Sequence, residues 1–155
     1  MFEIGQKAPE FTLYNQDGAD VSLTDAAGKW LVLYFYPKAL TPGCATQACE
    51  LRDSMAELKA QGIEVWGISA HPAPLLKKFV EAEKLNFTLL GNDDKEMIKA
   101  YGAWQEKSMY GKKYMGIGRM TYIINPKGEV AAVWPKVAPK KHLPELRKWF
   151  KENLS

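Results

Sequence analysis

The chain has 155 residues, enough for one domain with a real hydrophobic core, and it is read as a single domain over 1–155. Hydrophobic residues make up 46% and charged residues 25%, which excludes a disordered or low-complexity chain. A net charge of +3 is too small to point to nucleic acid. No run approaches the ~20 apolar residues of a membrane span. Residues 1–9 lack the basic and then apolar order of a secretory signal, so the expected compartment is the cytoplasm.

The elements follow in order. Phe11, Thr12 and Leu13, the turn pair Asp17 and Gly18, then Val21, Ser22 and Leu23 read as a small N-terminal hairpin. Residues 30–36 are almost wholly apolar and rich in strand formers, as expected of a central strand buried on both faces. Pro37 ends it. A helix is expected over about 42–61, with Gly62 as its stop, and a strand over 63–69. Pro74 opens a second helix that runs to about Leu85. A short strand over 87–90 and a short helix over 94–101 follow. Residues 120–124 and 130–134 make a hairpin around Asn125, Pro126, Lys127 and Gly128. The last helix is expected over about 142–153, with Leu143, Leu146 and Phe150 on one face. Strands alternating with helices, then a hairpin and a final helix, give an α/β fold: a central mixed sheet flanked by helices, in a thioredoxin-like order.

The chemistry concentrates between Pro37 and Cys49, where a buried strand hands over to a helix. Cys44 falls in the first helical turn, where unpaired amide N–H groups favour an anion. The thiolate is the nucleophilic form of cysteine, so this placement suits a reactive thiol. The Thr41 hydroxyl can accept a hydrogen bond from the sulfur or donate one to a bound oxygen. Cys44, Ala48, Leu51, Met55 and Leu58 form one apolar stripe, whereas Cys49 shares a more polar face with Arg52, Ala56 and Lys59. Five helical residues place the two Cα atoms roughly 8.6 Å apart. A disulfide needs about 4.4–6.8 Å. If the cysteines form a redox couple, the first helical turns must unwind. Two other readings stay open at this point: both cysteines as small core residues, and a zinc site drawing on His71 and His142. The turn Thr41, Pro42, Gly43, Cys44 after a buried strand disfavours the first. The distance of both histidines along the chain disfavours the second.

Pro37, Thr41 and Cys44 resemble the peroxiredoxin pattern of proline, three residues, threonine, two residues, cysteine. Tyr34 to Lys38, Cys49 and the following Leu51, Arg52 and Asp53 resemble the bacterioferritin comigratory protein, or peroxiredoxin Q, branch. The likeness extends through Gly67, Ile68 and Ser69, Asn86 to Leu90, and Gly118 and Arg119 to the last helix. It implies a peroxiredoxin-type thioredoxin-like fold and a thiol peroxidase needing no metal, haem or flavin. In that reading Cys44 is oxidised by hydroperoxide to a sulfenic acid, and Cys49 resolves it as an intramolecular disulfide. Arg119 stabilises negative charge, Thr41 and Pro37 shape the site, and Gln47, where many relatives carry glutamate, holds Arg119. Ala45 stands where threonine is frequent. The implied reductant is thioredoxin, or else glutaredoxin or glutathione, and the implied state is a monomer.

Two other functions compete. A thioredoxin-type disulfide oxidoreductase spaces its cysteines by two residues, whereas four lie between these. A chaperone or redox sensor without turnover would not need Thr41, Cys44 and Arg119 together. The methionines Met97, Met109 and Met115 are expected to be core or incidental. The basic cluster Lys136, Lys140, Lys141, Arg147, Lys148 and Lys151 is read as a solvated face.

Overall fold

The protein is described here by a computed structural model covering residues 2–38, 42–92 and 95–154. Thr41 and Asp94 lie outside the described residues, as does the side chain of Met109.

The strand β3, Trp30–Phe35, organises the fold. Its side chains alternate between the two faces of the sheet, as strand geometry requires. Val32 and Tyr34 point with Tyr36 into one hydrophobic core, and Leu31, Leu33 and Phe35 into the other. Burial on both faces explains the unbroken apolar run.

Around it, β1 (Thr12–Asn15), β2 (Asp20–Ser22), β4 (Ile63–Ser69), β5 (Thr88–Gly91), β8 (Thr121–Ile124) and β9 (Val130–Trp134) complete a sheet of order β2-β1-β5-β4-β3-β8-β9. β3, β4 and β5 run parallel, while β8, β9, β1 and β2 join antiparallel, so the sheet is mixed. The parallel connections are helical: α1 (Pro42–Ala60) links β3 to β4, and α2 (Ala73–Glu83) links β4 to β5. Together with α4 (Pro139–Asn153) they cover the face carrying Tyr34 and Tyr36. The opposite face is closed by the N-terminal segment, the 3-10 turn Leu23–Ala26 and the short helix α3, Glu96–Ala100.

The stop signals act as expected. Gly62 takes φ +76° directly after α1, a conformation without steric cost only for glycine. In the β8–β9 turn the Asn125 side-chain oxygen accepts hydrogen bonds from the Lys127 and Glu129 amides at 3.0 and 2.9 Å.

Two expectations need correction. The last helix starts at Pro139, three residues before His142, because a proline fits the first helical position and Ala138 supplies the extended cap. The short third helix begins at Glu96, since Lys95 adopts the left-handed region at φ 61°. A separate hairpin lies outside the expected elements: β6, Trp104–Met109, pairs with β7, Lys112–Ile117. Its two-residue loop, Tyr110 and Gly111, takes φ values of 52° and 77°, the positive pair of a type I′ turn. Residues 112–115 of β7 are exposed on both faces, so the sequence there lacks the apolar alternation that marks a strand.

Candidate active site

β3 delivers the chain to the site. The Tyr36 amide still bonds the Ile68 carbonyl at 3.1 Å, and Pro37 then ends the strand, half-buried. α1 begins at Pro42, which places Cys44 in its first turn. The Cys44 side chain is 2% exposed and packs in the core that holds Tyr34, Tyr36 and Ala48. Burial pushes the Tyr34 and Tyr36 phenols up, and the nearby sulfur of Cys44 adds to the shift, so both rings stay neutral beside it.

The stripe Cys44, Ala48, Leu51, Met55, Leu58 is buried along its whole length, as the helical spacing required. Cys49 is half-buried on another face, and both cysteines are free within one continuous helix. The Cys49 thiol donates to Glu83 Oε2 at 3.1 Å. Partial burial raises the Cys49 pKa first, and the Glu83 carboxylate raises it further. Nearby, Arg52 Nη1 donates to the Glu83 carbonyl at 2.6 Å, and Asn86 donates to the Arg52 carbonyl at 3.1 Å. These bonds tie the middle of α1 to the end of α2.

Arg119, just ahead of β8, reaches the start of α1. A Cβ built on Gly43 would lie 2.8 Å from Arg119 Nη2, so the guanidinium rests against the backbone next to Cys44. Its Nη1 donates to Gln47 Oε1 at 3.1 Å. Gln47, 1% exposed, also meets His142 Nδ1 at 2.9 Å, and His142 Nε2 meets Thr121 Oγ1 at 3.0 Å. Burial, and then the Arg119 charge, pull the His142 pKa down to about 3, so the ring is neutral at physiological pH. An open groove beside Arg119 is lined by Gln105, Lys107, Tyr114, Lys136 and Pro139. The Lys107 pKa is lowered by burial and by the Arg119 charge.

Cys44, Gln47 and Arg119 thus come together, Pro37 sits at the strand-to-helix junction, and Cys49 stands apart from Cys44 on α1. Sequence reasoning missed three partners. His142 is remote from Cys44 along the chain, but α4 carries it into the site. Its spacing four residues before Leu146 on an apolar helix face was the available signal. Thr121 and Glu83 carried no signal. Outside the site, Met97 is buried and Met115 is 51% exposed. Arg147 is not a free surface cation, because it pairs with Glu57 at 3.0 Å.

The AhpC/TSA family model matches residues 4–133. The chain is 45% identical over 149 residues to peroxiredoxin Bcp of Escherichia coli, covering 96% of each protein. It is 48% identical over 139 residues to a Bcp peroxiredoxin of Haemophilus influenzae, covering 90% of each. Among solved structures, it is similar to a cysteine-to-serine variant of Xylella fastidiosa PrxQ, with a TM-score of 0.94, 27% identity and coverage of 100% and 99% of the two chains. It is likewise similar to the bacterioferritin comigratory protein of Xanthomonas campestris, studied for alkyl peroxide reduction, with a TM-score of 0.87, 30% identity and coverage of 94% and 92%. With a thioredoxin-like sheet, a buried cysteine at the start of α1 and relatives matched over nearly their whole length, the chain belongs to the AhpC/TSA family and, within it, to the Bcp/PrxQ peroxiredoxins, which are thiol peroxidases.

Proposed function

We propose that Cys44 is the peroxidatic cysteine and Cys49 its resolving partner within the same chain. The Cys44 thiolate attacks one oxygen of the hydroperoxide, the O–O bond breaks, and the leaving alkoxide takes a proton to become alcohol or water. The sulfur is oxidised to sulfenic acid. Cys49 then attacks that sulfur, a disulfide forms, and the hydroxyl leaves as water after taking the thiol proton. A dithiol protein, with thioredoxin as the expected reductant, returns both cysteines to thiols. The site works in a monomer in the cytoplasm, where free thiols persist. No helix among the described residues is long and apolar enough to cross a membrane.

The observation that carries this reading is the contact of the Arg119 guanidinium with Gly43, the residue before the buried Cys44. A fixed cation there meets charge as it develops on the leaving oxygen. Thr41 is assigned the second polar contact to that oxygen, and Pro37 the shielding of the sulfur from water.

Peroxide consumption with thioredoxin and its reductase tests the assignment. Cys44→Ser should abolish turnover. Cys49→Ser should complete one oxidation and accumulate sulfenic acid on Cys44. Full activity in Cys44→Ser would falsify the assignment. A disulfide linking two chains would make Cys49 an intermolecular resolver.

A further inference from the structure

We propose that His142 is a positioning residue for the peroxidase reaction: a neutral imidazole that, between Gln47 and Thr121, locks the Gln47 amide in the orientation that holds Arg119 at Cys44. The proposal rests on the assignment of Cys44 and Arg119 above.

The polarity of the relay follows from its charged end. A guanidinium can only donate, so Gln47 Oε1 must be the acceptor of the Arg119 bond. The Gln47 nitrogen then faces His142, and an amide nitrogen can only donate. His142 Nδ1 is therefore the bare nitrogen. In a neutral ring the proton then sits on Nε2 and is donated to Thr121 Oγ1. Every direction is set once the first is known.

Burial makes this order binding. Gln47, His142 and Thr121 are 1%, 2% and 0% exposed. A flipped Gln47 would set its nitrogen against the guanidinium and its oxygen against a bare Nδ1, leaving buried groups without partners. An imidazolium would point a proton at the Gln47 amide nitrogen, which accepts none, and would add a second positive charge near Arg119. The relay also closes on itself. Arg119 and Thr121 are two residues apart, so the ring runs from Arg119 through Gln47, His142 and Thr121 and back through Met120. It joins the start of α1, the first turns of α4 and the entry to β8. Gln47 is thus fixed from the side away from Arg119, and the guanidinium is fixed in turn.

The test is a double-mutant cycle on the rate of Cys44 oxidation, read by stopped flow. His142→Leu should lower the rate about tenfold, the scale of a modest misplacement of a catalytic group. His142→Gln, which can accept from Gln47 and donate to Thr121, should recover most of that loss. In an Arg119→Ala background, His142→Leu should change the rate by less than about twofold, because its effect passes through Arg119. Equal losses with and without Arg119 overturn the relay. If Arg119→Ala alone costs nothing, the Arg119 assignment fails instead. Nitrogen-15 spectra of the wild-type imidazole need no substitution. At neutral pH they should show a proton on His142 Nε2 and a bare Nδ1. A proton on Nδ1, or on both nitrogens, overturns the proposal whatever the variants do.

Discussion

The guanidinium of Arg119 lies so close to Gly43 that a Cβ there would fall 2.8 Å from Nη2. A side chain at the residue before Cys44 would therefore press on that guanidinium.

Function and stability should separate at that position. Gly43→Ala pushes on the tip of the Arg119 side chain and strains its bond to the buried Gln47. Alanine favours a helix over glycine by about 0.5–1 kcal/mol, which offsets part of that cost. The expected variant melts within a few degrees of wild type but oxidises at least about tenfold more slowly, because Arg119 is displaced. Melting and stopped-flow traces on the same sample check both halves.

Removing the cation should cost more than moving it. Arg119→Ala is expected to slow Cys44 oxidation by about 10²-fold, the usual loss for one transition-state donor. An unchanged second-order rate constant would remove Arg119 from the reaction.

Glu83 should keep the second thiol quiet. The Cys49 thiol donates to this carboxylate at 3.1 Å, and the Glu83 charge adds to the effect of burial in raising its pKa. Glu83→Gln removes that charge, so the Cys49 pKa should fall toward its ordinary value. Alkylation of Cys49 near pH 8 should then speed up several-fold, since the thiolate is the reacting form. Mass-resolved alkylation separates Cys49 from the buried Cys44.

Resolution should require local opening. Both cysteines lie in the unbroken helix Pro42–Ala60. Helix geometry holds their Cα atoms roughly 8.6 Å apart. The first turns must unwind before the sulfurs can bond, at the low free energies typical of local opening. Amide exchange from Ala45 to Glu50 should accelerate in the disulfide form. An oxidised structure with an intact helix through both cysteines would contradict this. Opening should also take Gln47 from His142, so the Nδ1 resonance should shift on oxidation.

Acid should destabilise the fold through His142. Its folded pKa is about 3. An unfolded histidine titrates near pH ~6.5. The unfolded state therefore binds the proton first as pH falls. The stabilisation is complete above ~6.5 and declines toward pH 3, at about 1.4 kcal/mol per pH unit in the steepest part. His71, lowered by partial burial and then by Lys38, adds in the same direction. Urea unfolding between pH 7 and 4 should show this slope, and His142→Gln should flatten it.

Much of the fold was legible because its determinants are local. An apolar run buried on both faces makes β3 readable, and the spacing of Cys44, Ala48, Leu51, Met55 and Leu58 gives the buried stripe of α1. Positive-φ Gly62 marks the end of α1, and Pro42 in the first helical turn marks its start, two residues before Cys44. The β6–β7 hairpin escaped because residues 112–115 of β7 are exposed on both faces, so no apolar periodicity is imposed on them. The remaining parts of the site depend on distance in space. Gln47 and His142 are 95 residues apart, and Cys49 and Glu83 are 34 apart. The packing of α4 against α1, and of α2 beside it, creates those hydrogen bonds, and no spacing rule along the chain encodes them. The sequence alone determined that Cys44 stands at the start of α1 and on its buried stripe, because a helix start and a helical spacing are local features. Only the tertiary structure decided what holds Arg119 in place and what holds Cys49 back, because buried polar groups must find partners wherever the fold brings them together.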